Sequence, residues 1–337
     1  MLTTHAGRYG SIAILIVLAS LARVLASSGT AKAMPYGPMS LSSGAGTGDT
    51  SDVHLLHVQG HVYMLVSAGG NVTVQIGDDG VLLVDTSVAE ASGKVLAAVR
   101  TLTDKPIRYI VNTHAHADHV GGNEQIAKAG ATIGGGTIGT AFTPAGASIL
   151  AHERVLARMS APTGEKTPTP SGAWPTNTFF GPRKELFFND EAIEILHQPA
   201  AHTDGDSLVF FRRSDVVSTG DVFVTTGYPV IDAGGSIQGI IDALNRVLEI
   251  TIPKHEQEGG TYVIPGHGRL CDEADVVEYR DMVTIIRDRV QDMVKRGLTV
   301  EQVKAARPTL DYDGRYGART GAWTTDMFVE AVYRSVK

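Results

Sequence analysis

The apolar positions of the chain repeat at two different periods. Residues 62–66, 72–76 and 81–85 are short apolar runs, separated by Ala68-Gly69-Gly70-Asn71 and Gly77-Asp78-Asp79-Gly80. Runs of this length between Gly, Asn and Asp clusters predict an antiparallel strand series. From residue 88 to 102 the step becomes helical, with Val95, Leu96, Val99 and Leu102 on one face. A short buried strand is predicted at 107–112, a helix at 123–129, and a strand running into a helix at 148–159. Residues 130–146 are Gly-rich and lack the G-x-x-x-x-G-K-[ST] pattern of a phosphate loop, so they read as a surface insertion. Residues 161–178, rich in Pro, Thr and Gly, read as a long loop. Strands resume at 186–188, 193–197, 207–211 and 216–219.

The C-terminal third turns helical. Tyr279, Met282, Ile286, Val290 and Met293 mark one face of a helix over 276–296, closed by Gly297. Thr299 and Gln302 form a capping box for the next helix, and 325–336 predicts a last one. No internal repeat of about 20–50 residues is present. Strands, one central strand–helix alternation, strands again and terminal helices predict an α/β (α+β) chain with helices layered on sheet.

Composition narrows the class. The chain has 337 residues, 43% of them hydrophobic, enough for a large core. Residues 1–33 read as a signal peptide: Arg8, an apolar core at 11–21, and Ala31-Lys32-Ala33 as a cleavage site. The apolar core is shorter than the about 20 residues of a spanning helix. An uncleaved N-terminal anchor is the alternative. Residues 34–52 read as a flexible Gly/Ser-rich lead-in. Cleavage would remove Arg8, Arg23 and Lys32 and no acid, taking the net charge from -7 to -7 - 3 = -10. With no Lys/Arg run, a nucleic-acid partner is not expected. The expectation is an exported chain, periplasmic or extracellular, free of the membrane after cleavage. The one cysteine, Cys271, can neither be acylated near the N-terminus nor form an internal disulfide. It reads as a small buried residue.

The strongest chemical signal is His114-Ala115-His116-Ala117-Asp118-His119, directly after a buried strand. In extended chain His114 and His116 point the same way. Asp118 and His119 fall where a helix begins and can face a second ion beside the first. Imidazole and carboxylate donors suit zinc. Solvated histidines in a polar loop are the bland alternative. Three more donors lie on loops at strand ends: His202 in Ala201-His202-Thr203-Asp204-Gly205-Asp206, Asp221 in Thr219-Gly220-Asp221, and His267 in Pro265-Gly266-His267-Gly268.

This set, in this order and spacing, resembles the metallo-β-lactamase superfamily over residues 54–270. Val81-Leu82-Leu83-Val84-Asp85-Thr86 resembles that family's strand ending in Asp. The resemblance implies a four-layer αβ/βα sandwich over 53–270, with 271–337 as a helical C-terminal extension packed on the same domain. It implies that His114, His116 and His202 hold one Zn2+ and that Asp118, His119 and His267 hold the other, with Asp221 bridging and Asp85 orienting a ligand histidine. Iron or manganese can take the same places. It further implies a hydrolase acting on a small-molecule substrate, in which a metal-bridging hydroxide, aided by Asp118 and Asp221, attacks an ester, lactone, thioester or amide.

A β-lactamase is the second reading, favoured by export and disfavoured by Asp221, because true β-lactamases of the family usually carry Cys or no ligand there. A mono-iron persulfide dioxygenase-like enzyme is a third, although it gains nothing from a complete second site. A non-catalytic binding module is a fourth, disfavoured because all seven donors are present. The flavodiiron pattern has Glu in place of His116 and fits badly. Pocket candidates are Phe223, Tyr228, Trp174, Phe179 and Phe180. His152 and His197 read as structural. Asp204 and Asp206 either orient His202 or cap a turn.

Overall fold

The computed structural model describes residues 53–67, 69–132, 146–161, 169–232 and 234–337, all within the unit Gly48–Lys337. The expected signal peptide (1–33) and lead-in (34–52) lie outside the described residues, as do 133–145 of the Gly-rich insertion and 162–168 of the long loop.

Two sheets carry the fold. The first is seven-stranded, in chain order: β1 (His54–Gln59), β2 (Val62–Ser67), β3 (Gly70–Gly77), β4 (Gly80–Val84), β5 (Ile107–Val111), β6 (Ser148–His152) and β7 (Asn177–Phe179). Strands β1 to β4 pair antiparallel, and β4 to β7 pair parallel. The second sheet is six-stranded, formed by β8 (Arg183–Phe188), β9 (Glu191–Gln198), β10 (Asp206–Phe211), β11 (Val216–Ser218), β12 (Tyr262–Ile264) and β13 (Cys271–Asp272). It is antiparallel except for the β11–β12 pair.

The strand pleat assigns the layers, since successive side chains point to opposite faces. Leu82 and Val84 of β4 face Ile193, Ile195, Val209 and Phe211 of the second sheet, in a core between the sheets. Their neighbours Val81 and Leu83 face outwards, onto Val95 and Val99 of α1 (Ser92–Leu102). Short helices α2 (Ala117–Val120), α3 (Asn123–Lys128) and α4 (Glu153–Ser160) follow. Ile126 of α3 joins the same outer core.

On the far side, Leu196, Leu208 and Val263 point away from the inter-sheet core. They meet α5 (Ile237–Ile250) and α6 (Glu273–Lys295). After α7 (Val300–Ala306) and α8 (Asp313–Tyr316), helix α9 (Thr325–Val336) adds Phe328, Val329 and Val332 to that core. The order helix, sheet, sheet, helix is the expected αβ/βα sandwich. The 276–296 helix begins three residues earlier than expected, where Asp272 and Asp275 close a capping box.

Helix α5 was not anticipated. Ser236 caps it by accepting from the Gly239 N–H, and Ile237, Ile240, Ile241, Leu244 and Val247 form its buried stripe. Among the described residues, no helix is long and apolar enough to cross a membrane.

Candidate metal centre

All seven expected donors meet where the two sheets end together. The loop after β5 carries His114 and His116, and α2 carries Asp118 and His119. The β9–β10 turn brings His202, the turn after β11 brings Asp221, and the loop after β12 brings His267. Several bonds fix these loops. Asn112 and Asn123 exchange side-chain hydrogen bonds at 3.1 and 2.8 Å, closing the ends of the first motif. The Ser207 N–H donates to the Thr113 carbonyl at 2.9 Å, joining the two sheets. Asn71 of β3 donates its side chain to the Pro265 and Gly268 carbonyls at 2.8 and 3.1 Å, which staples the His267 loop.

The donors form two clusters: His114, His116, His202 and Asp221, and Asp118, His119, His267 and Asp221. In each cluster the donor atoms all lie within 4.8 Å of one another. Asp221 belongs to both, one oxygen to each. Its Oδ1 is 3.2 Å from His119 Nε2 and 3.4 Å from His267 Nε2. Its Oδ2 is 3.8 Å from His202 Nε2 and 4.0 Å from His114 Nε2.

The outer contacts of the histidines decide which nitrogen faces inwards. A carboxylate or carbonyl only accepts, so a ring nitrogen bonded to one carries the proton. His119 Nδ1–H donates to Asp85 Oδ2 at 2.7 Å. His116 Nε2–H donates to Asp232 Oδ2 at 2.9 Å, and His202 Nδ1–H to the Val230 carbonyl at 2.8 Å. Thr113 Oγ1 spends its proton on Asp85 Oδ2 at 2.7 Å and so accepts from His114 Nδ1–H at 3.0 Å. Asp85 also accepts the Thr113 N–H at 2.8 Å. Each of these four histidines therefore turns its other ring nitrogen to the centre, the pattern by which outer partners orient metal ligands.

The inward atoms fit cations and little else. His202 Nε2 and His116 Nδ1 stand 3.0 Å apart with both protons used elsewhere. His114 Nε2, His119 Nε2 and Asp221 Oδ1 are buried without a hydrogen-bond partner among the described residues. Buried lone pairs left unpaired cost free energy, and two divalent cations would satisfy all of them. The donor set fits a dinuclear metal site of nitrogen and oxygen ligands.

Charge agrees with geometry. Burial, helped by His119 and His202, holds the His114 imidazole well below its usual pKa. His202 is likewise lowered, mainly by burial. Burial opposes protonation of His119 too, but Asp221 and Asp85 outweigh it and hold that ring well above the ordinary range. His267 is pushed up to about 9: burial lowers it, and Asp118 and Asp221 more than compensate. Burial would raise Asp221, yet His119, His267 and His114 hold it well below a normal carboxylate. Protons on His119 and His267 stand where cations would neutralise the same carboxylates.

Asp232, two residues before Gly234-Gly235, was not among the candidates read from the sequence. It links His116 to Arg158, whose Nη1 lies 3.6 Å from the Asp232 carboxylate. Asp204 and Asp206 do not touch the His202 ring. Asp204 pairs with Arg158 Nε at 2.5 Å, and Asp206 accepts from Thr203 N–H and Oγ1 at 2.7 and 2.6 Å. They brace and cap the turn.

A cleft of about 370 Å³ opens over the metal donors. Of the five expected pocket residues only Tyr228 lines it. Phe223 is buried against Tyr279, with ring centroids 5.1 Å apart. Phe179 packs edge-on to His152, Trp174 packs against the small core of Met159 and Ala173, and Phe180 is 84% exposed. The missing wall comes from the C-terminal segment, through Tyr316 and Trp323. No signal local to the metal motifs points that far along the chain.

The metallo-beta-lactamase superfamily profile matches residues 67–267, more than half of the chain. The chain belongs to the metallo-beta-lactamase superfamily. Many members of this superfamily are hydrolytic enzymes acting on small molecules. It is 27% identical over 178 residues to the 2,4-dinitroanisole O-demethylase subunit alpha of Nocardioides sp. (strain JS1661), covering 49% of this chain and 47% of that one. A 45-residue stretch is 49% identical to the linear primary-alkylsulfatase of Pseudomonas sp. (strain ATCC 19151), 13% of this chain and 8% of the relative. The chain thus spans about half or less of the curated relatives it matches.

Among solved structures, the stereoselective inverting sec-alkylsulfatase Pisa1 from Pseudomonas sp. matches with a TM-score of 0.60 and 18% identity, over 84% of this chain and 50% of the other. A metallo-beta-lactamase from Pontibacter korlensis matches at 0.53 and 16% identity, over 69% and 99%. At these identities the likeness is one of fold.

Proposed function

We propose that this protein is an exported dizinc hydrolase of the superfamily. It cleaves an ester-type bond, in which an alkyl or aryl oxygen leaves an acyl or comparable electrophilic centre; lactones, thioesters and amides belong to the same chemistry. The observation that carries this reading is Asp221, which turns one oxygen towards each of two complete donor clusters.

His114, His116 and His202 would hold one ion, Asp118, His119 and His267 the other, and Asp221 both. When bound, the ions supply Lewis acidity and a water acidic enough to react near neutral pH. The chain's own residues position the reaction. Asp85 and Asp232 orient His119 and His116. Asp118, at the cleft and 3.3 Å from His267 Nε2, is placed to hold the proton released by the water and return it to the leaving oxygen. In net terms, water oxygen bonds to the electrophilic carbon, the bond to the leaving oxygen breaks, and one proton ends on that oxygen.

The relatives support this bond class, being named for acting on an aryl methyl ether and on alkyl sulfates. Residues 53–270 would form the catalytic unit, with 271–337 as its helical extension. Export rests on the pattern of residues 1–33, and the mass of the chain recovered outside the cytoplasm should begin at Met34.

The test is 4-nitrophenyl acetate beside nitrocefin, using protein with its metal content measured. Two zincs per chain, ester turnover, and its loss in Asp221→Ala are expected. Nitrocefin turnover without ester turnover favours the β-lactamase reading. A single iron would sink the dizinc assignment.

A further inference from the structure

The cleft is walled on one side by metal donors and on the other by hydrocarbon. Val224, Tyr228 and Val230 come from the loop after Asp221, and Tyr316 and Trp323 come from the C-terminal segment. These rings are anchored. The Tyr228 hydroxyl is turned to the Thr309 carbonyl and Asp313 at 3.2 and 3.0 Å, and its ring stacks on Phe328 of α9 with centroids 4.6 Å apart and planes 5° apart. Tyr316 packs on Tyr228 at 6.0 Å and edge-on to Tyr279 at 5.6 Å. The Trp323 indole N–H is shut off from water with no partner among the described residues, so packing alone holds that ring.

The wall's own side chains are uncharged, and the Arg315 guanidinium, 5.0 Å from the Tyr316 ring centroid, is paired with Glu278. Among the described residues lining the cleft there is no Lys or Arg. A neighbouring groove, which shares Ala318, Thr324 and Thr325 with it, contains Lys304, Arg307 and Arg319. Lys304 and Arg307 are paired with Glu330 at 2.6 Å and Asp313 at 3.3 Å, and Arg319 lines that groove and not the cleft. A carboxylate pressed on this wall, away from the metal donors, would lose its hydration and gain no Lys or Arg partner among the lining residues. A flat apolar group would gain contact with three rings.

We propose that the Tyr316–Trp323–Tyr228 wall determines specificity, and that the substrate carries an uncharged aromatic or bulky alkyl group next to the bond that breaks. This rests on the hydrolase reading above and narrows its substrate class.

The experiment compares phenyl acetate, its 4-carboxylate and methyl acetate, each normalised to its rate of alkaline hydrolysis. Phenyl acetate should exceed both in kcat/KM by about tenfold or more, a factor of about 1.4 kcal/mol. Trp323→Ala and Tyr316→Ala should collapse the phenyl-over-methyl preference, mainly through KM. Trp323→Phe, which keeps a ring, should retain most of it and guards against a folding defect. The second readout is binding. In a Trp174→Phe background, Trp323 is the only tryptophan, and its fluorescence should change saturably with benzyl alcohol. Equal use of the 4-carboxylate, or an unchanged preference in all three wall variants, overturns the proposal. If no ester is hydrolysed but benzyl alcohol still perturbs Trp323, the hydrolase reading fails and the wall stands.

Discussion

The Asp232 carboxylate lies 2.9 Å from His116 Nε2, while His116 Nδ1 lies 3.0 Å from His202 Nε2. One side of the ring is tied to an acceptor and the other is thereby left as a lone pair. Asp232→Asn keeps the size and removes the charge. Loss of an outer partner of this kind lowers metal affinity by about 10–100-fold. Competition with a calibrated chelator should show that loss at one of the two sites. Unchanged affinity at both would mean that the Arg158–Asp232–His116 chain has no part in holding metal.

Gly266 makes a sharper steric case. A Cβ there would sit 2.0 Å from Asp221 Oδ1 and 2.7 Å from the Gly220 carbonyl carbon. Neither can retreat without moving the bridging carboxylate or its turn. Gly266→Ala should therefore cost about 1–3 kcal/mol, as overpacking does, and should also lower metal occupancy. Thermal unfolding with and without chelator separates the two effects, because a purely structural cost would leave the metal-dependent shift intact.

The first motif was legible because all four of its donors fall within six consecutive residues after a strand. The single donors His202, Asp221 and His267 became legible only as a set. Asp232 and the Tyr316–Trp323 wall were not, since each reaches the site through tertiary packing that no local spacing encodes. Helix α5 had a readable stripe at Ile237, Ile240, Ile241, Leu244 and Val247. Gly239 near its start lowers helix propensity, and the structure explains that glycine. A Cβ there would lie 1.8 Å from the Ala200 carbonyl oxygen, so the helix needs glycine to approach the turn that carries His202. Most central strands were legible as short apolar runs, in which successive residues such as Leu82 and Leu83 serve different cores, whereas β1, β13 and β7, which begins inside the expected loop 161–178, were not.

The terminal helices should be indispensable to the fold. Tyr279, Met282, Val283, Ile286 and Val290 of α6 fill the same core as α5 and the outer face of the second sheet. A chain ending at Leu270 exposes that face. It should be insoluble or bind hydrophobic dyes, whereas a well-dispersed, cooperatively unfolding product would show that 271–337 is separable.

Cys271 should be chemically silent in the folded protein. Burial, then Asp275, pushes its thiol up to about 12 from 9.0. The thiolate that reacts with alkylating reagents is therefore scarce at pH 8. Iodoacetamide should modify it slowly in native protein and rapidly in denaturant. Prompt native labelling would show that the β13 region opens.

The stacked pair His152 and His197 should make stability fall towards acid pH. Their rings lie 3.6 Å apart and 5° from parallel. Burial, opposed mainly by Glu153, lowers His152; burial together with His152 lowers His197. Both are thus neutral in the fold at a pH where the unfolded chain, with its ordinary value of 6.5, begins to take up protons. The unfolded state then binds more protons, so stability is present above about pH 6.5 and is lost as pH falls through the lowered folded values. His152→Phe keeps an aromatic ring beside Phe179 and removes one titration. Denaturant midpoints of metal-free protein, measured between pH 7.5 and 5, should fall more steeply in the parent than in this variant. Parallel curves would mean that the acid sensitivity lies elsewhere, in the metal donors themselves.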